Sequence, residues 1–439
     1  MSQEQVEVAG PFDAFRQFFS LKRDVLVLSL AMFAFSLGFQ MTNRFLPDYL
    51  VFLGATGIVV GAFATLGNVI GAVFPYYGGV VSDRVGSRFA LTVFGLLSTL
   101  GFVIWLVAGV FPVSVDLGVI ALEPWIWIFV GLLFAQCWKS FGIGGHYAIV
   151  KQSVEPGRLA RGFASTETFR RTAFLIAPLI VAVLVADQLM PGFLWVLAIA
   201  VVVGVLGTIA QHFLYDPEGD SIGKSFEGFG QILDDIRALP EPLRPLIIAD
   251  TFVRFANGMV YVFFILVITQ VMNIGLSFTV PGWGTINLSP AAFFGVLLAV
   301  EMLVALITMA PTAKVAELTG LKPVVGAGFL VYAIFPILLI FAPEDQLILL
   351  LLFAFSGLRF AGLPAHKALV VGPAEAGAGG RVTGSYYFVR GLIVIPSGFI
   401  GGVLWDVVSP EVAFTLASII GMLGVVYFFV FGKEFEAYA

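Results

Sequence analysis

Lys139-Ser-Phe-Gly142-Ile-Gly-Gly-His146-Tyr-Ala148 returns 220 positions later as Arg359-Phe-Ala-Gly362-Leu-Pro-Ala-His366-Lys-Ala368. Both copies read basic-x-x-Gly-x-x-x-His-x-Ala, and both lie in long apolar runs. The same offset pairs Glu155 with Glu375, Arg161 with Arg381 and Gly38 with Gly258, and Arg171 pairs with Arg390 one position short of it. Asp83-Arg-Val-Gly86-Ser-Arg88 matches Glu317-Leu-Thr-Gly320-Leu-Lys322 at an offset of 234. A longer loop ahead of the second copy accounts for that shift, and a longer loop ahead of Lys139 compensates it. An ordered series of matches over half a chain marks two homologous halves.

The composition says where those halves reside. Apolar residues make up 59% of the 439 and charged residues 12%, against about 25% charged in soluble domains. So few charges cannot cover a water-exposed surface. Soluble, disordered, coiled-coil and nucleic-acid-binding classes are excluded, and a polytopic membrane protein remains. The single cysteine, Cys137, rules out a disulfide framework and a cysteine-based metal site. No cofactor and no metal are expected, and the net charge of −5 names no partner.

A membrane-crossing helix needs about 20 mostly apolar residues. Twelve stretches qualify: 24–45, 55–79, 89–110, 125–149, 162–186, 192–214, 246–271, 290–312, 322–342, 346–371, 383–404 and 411–432, here spans 1 to 12. They are too long for barrel strands, which need alternation over about ten residues. Residues 1–23 carry charges and no compact apolar core, so span 1 is expected to direct insertion itself.

Lysine and arginine sit on alternate connections only. Arg16, Lys22 and Arg23 precede span 1, Arg84 and Arg88 follow span 2, and Lys151, Arg158 and Arg161 follow span 4. Lys224, Arg237 and Arg244 precede span 7, Lys314 and Lys322 follow span 8, and Arg381 and Lys433 follow spans 10 and 12. Connections 111–124, 187–191, 272–289, 343–346 and 405–410 have none. The positive-inside rule then puts both termini in the cytoplasm of a cell whose plasma membrane holds the chain. The expected organisation is an amphipathic N-terminal segment (1–23), a six-helix half (24–214), a cytoplasmic linker (215–245), a second six-helix half (246–432) and a tail (433–439). The linker places Phe226, Phe229, Ile232, Ile236 and Leu239 at helical spacing, as on a helix lying along the membrane face.

Gly79-Val-Val-Ser-Asp83-Arg84-Val-Gly86-Ser-Arg88 resembles the Gly-x-x-x-Asp-Arg-x-Gly-x-Arg/Lys signature between helices 2 and 3 of the major facilitator superfamily. With twelve spans and the repeat, the resemblance covers the whole chain. The second copy, at Glu317, Gly320 and Lys322, is degraded, Leu318 standing where arginine would be. The resemblance implies an all-α fold of two pseudo-symmetric six-helix halves around a midplane cavity, related by an axis along the membrane normal. It implies that helices 3, 6, 9 and 12 stay outside the cavity. It also implies that Asp83 meets the start of helix 11 in the outward-open state and releases it in the inward-open one. The bare turn chemistry allows a plainer role, that of a basic turn fixing topology.

Ionisable residues at membrane depth mark function, since each is costly unless paired or wet. They are Lys139, Glu167, Arg170, Arg171, Arg254, Glu301, Arg359 and Arg390, with His146 and His366 nearer the cytoplasmic end; spans 3, 6, 9 and 12 carry no interior charge. Glu167 with Arg171, and Asp250 with Arg254, are spaced i,i+4 and suit intrahelical salt bridges. Lys139, Arg359, Arg390 and Glu301 have no opposite charge one turn away and need partners across helices, in water or in a substrate. Basic groups outnumber acidic ones, and fixed positive charge in a low-dielectric cavity attracts an anion. Lys139, Arg171, Arg254, Arg359, Arg390, His146 and His366 are therefore expected to bind a small anionic substrate. Glu301 or Glu167 is expected to carry a proton, unless Glu301 is a permanent bridge to an interior arginine. The histidines also admit a shared structural hydrogen bond.

The function these residues imply is secondary active transport by alternating access, with protons and the lipid bilayer as partners, no nucleic acid, and a single chain as the working unit. A drug/proton antiporter exporting lipophilic compounds is the alternative within the class. A polytopic enzyme is the alternative outside it, but no nucleophile–base pair or Gly-x-x-x-x-Gly-Lys-Ser/Thr loop stands out. Gly57/Gly61, Gly67/Gly71 and Gly398/Gly402 are small-xxx-small pairs suited to close helix contact.

Overall fold

The computed structural model describes residues 23–112, 114–116, 121–139, 159–215, 237, 239–281, 284–371 and 379–434. Each of the twelve stretches holds helix. Spans 1 to 6 are Arg23–Asn43, Gly57–Val85, Ser87–Val110, Ile126–Ala135, Leu159–Leu184 and Leu189–Leu214. Span 7 starts with Leu243–Val260 and ends in a π turn, Val267–Val271. Spans 8 and 9 are Pro290–Thr319 and Leu321–Ile340. Span 10 comprises Gln346–Gly357, a 3-10 turn Leu358–Phe360 and Leu363–Val371; span 11 comprises Gly379–Val394, Ser397–Val403 and a π turn Leu404–Val408; span 12 is Pro410–Phe431. Among the described residues, nine helices are long and apolar enough to cross a membrane, and shorter apolar helices cover Ile126–Lys139 and Arg171–Leu184. Side chains such as Val202, Leu206, Ile307, Leu351 and Val426 point out of the bundle. An apolar outer surface of that kind suits lipid, not water.

One local feature departs from the sequence expectation, and a second was not anticipated by it. Span 2 continues through Val85 and span 8 through Thr319, so the signature turn shrinks to a single glycine in each copy and Gly79 lies inside helix. Gly86 (φ 88°) and Gly320 (φ 91°) hold the same left-handed conformation, which a side chain would oppose. The repeat is thus visible as repeated backbone geometry. The connections 111–124 and 272–289 are not plain loops. Each carries a two-stranded antiparallel hairpin, Val115–Asp116 with Ala121–Leu122 and Leu276–Val280 with Gly284–Leu288. The second follows from β-branched and aromatic alternation in Leu-Ser-Phe-Thr-Val and the positive φ of Gly284.

Spans 2 and 11, and spans 5 and 8, form the seams between the halves. Gly61, Gly398 and Gly402 pack backbone to backbone. A Cβ on Gly402 would stand 3.1 Å from the Gly61 Cα, and one on Gly295 2.6 Å from the Pro178 carbonyl oxygen. At the same end, the Asp406 carboxylate in the π turn of span 11 accepts the N–H groups of Gly57 (2.9 Å) and Ile58 (2.6 Å), capping the start of span 2. The π turn of span 7 supplies Thr269 and Gln270, which each donate to Asp48 at 2.9 Å, Asp48 lying in the helix Leu46–Phe52 that follows span 1. Ser289 donates through Oγ to the Val185 carbonyl (2.6 Å) and through N–H to that of Ala186 (2.6 Å), tying span 8 to span 5. Phe45, Phe294, Phe353, Phe335 and Phe264 fill the space beneath in edge-to-face contacts. The end of the bundle away from Arg23 and Glu434 is closed by these contacts.

Asp406→Ala should weaken the closed end specifically. Losing a helix cap costs ~1 kcal/mol, about a fivefold change in an opening equilibrium. A cysteine placed at the fully buried Val60 should then react with a membrane-impermeant maleimide about fivefold faster than in the parent; equal rates would show that the cap does not hold this end.

Candidate functional site

A cavity of about 640 Å³ lies between the halves. Its walls come from span 1 (Phe39, Asn43, Arg44), span 2 (Phe63, Asn68), span 4 (Gln136, Lys139), span 7 (Arg254, Asn257, Tyr261) and span 11 (Tyr387, Arg390). Spans 3, 6, 9 and 12 contribute no wall residue among the described ones. Four cations reach this wall and, among the described residues, no carboxylate does.

Behind the wall stands Asp250, fully buried. Its Oδ1 accepts from Arg254 Nε at 3.1 Å, one helical turn away. Its Oδ2 accepts from Arg390 Nη1 and from the Tyr386 hydroxyl, each at 2.9 Å, and lies 3.2 Å from His366 Nε2. Tyr386 and His366 are themselves 3.3 Å apart. Spans 7, 10 and 11 thus converge on one carboxylate. Arg254 stacks over Tyr332 (4.5 Å) and Arg390 over Tyr387 (4.7 Å), so ring faces share in holding both cations. One carboxylate shared by two guanidiniums leaves this wall net positive.

A second ion pair is sealed off from the cavity. Arg359 Nη2 donates to Glu301 Oε1 at 2.7 Å, both side chains being almost wholly buried, and the Ser356 hydroxyl donates to the same oxygen. The rings of Phe360, Tyr332 and Phe335 surround the Arg359 guanidinium at 4.8, 5.1 and 5.5 Å. The cross-helix partner that Glu301 needed is therefore Arg359, set by the 3-10 turn Leu358–Phe360.

The remaining sequence-derived residues fall as follows. Lys139 stacks on Phe39 at 4.3 Å and borders both the main cavity and a smaller one of about 240 Å³. Arg171 is buried in span 5 and lines neither. In the signature, Arg88 donates to the His212 carbonyl (2.7 Å), and Glu434 caps span 9 by accepting from Leu321 (3.0 Å) and Lys322 (2.7 Å). His146, the segment 1–22, most of the linker and the end of the tail lie outside the described residues, as do the side chains of Asp83, Arg84, Glu167, Arg170 and Glu317.

The sequence pairs Asp250 only with Arg254, at i,i+4, and nothing in its spacing marks it as the partner of Arg390, Tyr386 and His366 as well. Sequence reasoning passed over Tyr386, an aromatic in an aromatic-rich chain, and Arg44, which closes span 1. Arg44 stacks on Tyr261 at 4.0 Å and is 9% exposed, and its Nη2 is buried with no hydrogen-bond partner among the described residues.

No family model matches the chain. It is 24% identical over 406 residues to an uncharacterised MFS-type transporter, MJ1317, of Methanocaldococcus jannaschii, covering 92% of this chain and 93% of that one. Among solved structures it resembles a mutant of the nucleoside transporter NupG (TM-score 0.72, 11% identity, 93% of this chain and 99% of that one). It also resembles a POT family transporter in complex with 5-aminolevulinic acid (TM-score 0.71, 13% identity, 94% and 99%). Likenesses at this identity concern the fold: two six-helix halves of the major facilitator type.

Breaking the sealed pair should cost more than removing it. Glu301→Gln strands a buried guanidinium, an effect worth ~3–5 kcal/mol. The double variant Glu301→Leu/Arg359→Met should melt closer to the parent than Glu301→Gln does, measured by scanning fluorimetry in detergent. A double variant melting below the single one would contradict this account of the pair.

Proposed function

Taking the chain as a membrane transporter of the major facilitator type, we propose that it carries a small organic anion across the plasma membrane by alternating access, coupled to protons. One observation carries the anion: a cavity between the halves walled by Arg44, Lys139, Arg254 and Arg390 with no described carboxylate on its surface. Several unit positive charges facing a poorly solvated space raise the local concentration of anions and repel cations. A lipophilic cation would have to enter against all four, which is why export of such compounds is the weaker reading. The size of the cavity suits a ligand of small organic dimensions.

The direction of opening follows from the two ends. With both termini cytoplasmic, as the lysine and arginine distribution requires, the closed end is extracellular and the conformation is inward-facing. The halves 24–214 and 246–432 would then rock about spans 2, 5, 8 and 11. In the opposite state the signature would take over. Asp83 would engage span 11 near the cytoplasm, as Asp406 here engages span 2 at the far end. Both contacts place a carboxylate on helix N–H groups, where the helix dipole favours it. A single chain holds the whole cavity and suffices as the working unit.

For the proton, Glu301 and Glu167 are joined by Asp250. The Glu301 carboxylate is held by Arg359 and Ser356 away from the cavity wall. Asp250 touches two cations of that wall. An anion drawn onto Arg254 and Arg390 competes with Asp250 for them, and a proton on Asp250 ends the competition, so anion and proton bind together. His366 and Tyr386, on the same oxygen, are the groups through which the proton would arrive.

Uptake of radiolabelled benzoate or succinate into proteoliposomes under an imposed pH gradient tests this reading. The parent should accumulate one of them saturably and Arg390→Gln should take it up about tenfold more slowly, the scale of one charged hydrogen bond. Asp250→Asn should keep exchange and lose gradient-driven accumulation. Accumulation of tetraphenylphosphonium with no anion uptake would reverse the substrate assignment, and undiminished accumulation in Asp250→Asn would return the proton to Glu301 or Glu167.

A further inference from the structure

We infer that Arg44 docks the transported anion together with Arg254 and Arg390 of the same cavity, and that the ligand it fits is an organic carboxylate with an apolar body. The inference rests on the anion reading above and adds the residue and the chemical class. Arg254 and Arg390 share Asp250, and Arg359 has Glu301. Arg44 is nine-tenths buried, yet among the described residues it has no ion pair. Its contacts are the ring faces of Tyr261 at 4.0 Å and Phe294 at 5.8 Å, and Nη2 is buried without a hydrogen-bond partner. Asp48, one turn further on, could have neutralised it but accepts from Thr269 and Gln270 instead.

A ring face repays part of the desolvation of a guanidinium and leaves its edge donors unused. A cation kept in that condition inside a bundle is costly, and the cost is relieved by any acceptor that arrives with a negative charge. The planar fork of arginine matches a carboxylate in two parallel hydrogen bonds. Arg44 also lines the main cavity, beside Phe39, Phe63, Leu132, Val262 and Val394. Those apolar neighbours would pack against the body of an organic acid and leave a bare inorganic anion without contacts.

The position adds a mechanical consequence. Arg44 lies in the turn just after the helix Arg23–Asn43, and the next residue, Phe45, meets Phe294 of span 8 beneath the closed end. Tyr261, on which the guanidinium lies, belongs to span 7. A carboxylate on Arg44 would thus be held where span 1 of one half meets spans 7 and 8 of the other, so occupancy and closure share residues.

The test uses the purified full chain in detergent, with thermal stabilisation by benzoate, inorganic phosphate and tetraphenylphosphonium as the readout, on the parent, Arg44→Met and Arg44→Lys. Benzoate should stabilise the parent more than phosphate does. In Arg44→Met the ligand-free melting temperature should equal or exceed the parent's, because an unbalanced buried charge is gone, while benzoate affinity falls at least about tenfold. A purely structural arginine would instead lower the ligand-free melting temperature. Arg44→Lys, which keeps the charge and loses the fork, should fall between. Parent-like benzoate binding in Arg44→Met overturns the assignment and leaves the anion cavity standing; if that variant does not fold, parent-like binding in Arg44→Lys overturns it equally. Phosphate matching benzoate in the parent removes the apolar-body assignment. No shift of the parent with either anion overturns the anion reading and this inference together.

Discussion

A guanidinium inside a helical bundle has no bulk water to solvate it, and the centre of this molecule is organised around that constraint. Each interior arginine whose contacts are described has been given something in place of water. Arg359 has Glu301 and a ring of aromatics. Arg254 and Arg390 divide Asp250 between them. Arg44 has only ring faces. Charges of this kind cost stability even when paired. The graded satisfaction is informative too, since the sealed pair holds spans 8 and 10 together and the under-satisfied cations face the cavity.

A second constraint acts on the backbone. Helix starts expose N–H groups that need acceptors; Ser289, Asp345 and Ser409 serve their own helices, and span 2 is served from the other half. Asp406, in the π turn of span 11, accepts from the start of span 2, while the π turn of span 7 supplies Thr269 and Gln270 as donors to Asp48. The large apolar core runs through both halves, with Phe45 against Phe294 at the closed end.

Much of the architecture was legible in the linear chain because its physics is local or periodic. Length and apolarity of each stretch determine where helix forms in a membrane. Lysine and arginine counts on alternate loops respond to the membrane, not to neighbouring helices. The repeated Gly86 and Gly320 can be recognised in sequence because only glycine sits easily at φ near 90°. The site was legible in part. Lys139, Arg254, Arg390 and His366 could be picked out because charge is rare in a membrane span. Their partners could not be assigned, since nothing in the spacing of Asp250, His366, Tyr386 and Arg390 along the chain says that three helices meet at one carboxylate. Arg44 was missed for a related reason, as a cation at the edge of an apolar stretch reads as an interfacial anchor until its depth in the bundle is known.

The sequence by itself determined a membrane protein of twelve apolar stretches in two related halves, because hydropathy, loop charge and self-similarity are properties of segments. Only the tertiary structure decided which charge neutralises which, which cation is left facing a cavity, and which end of the bundle is shut. Those are distances between helices remote in the chain, and in a medium that screens charge weakly a few ångströms separate a sealed ion pair from an open binding site.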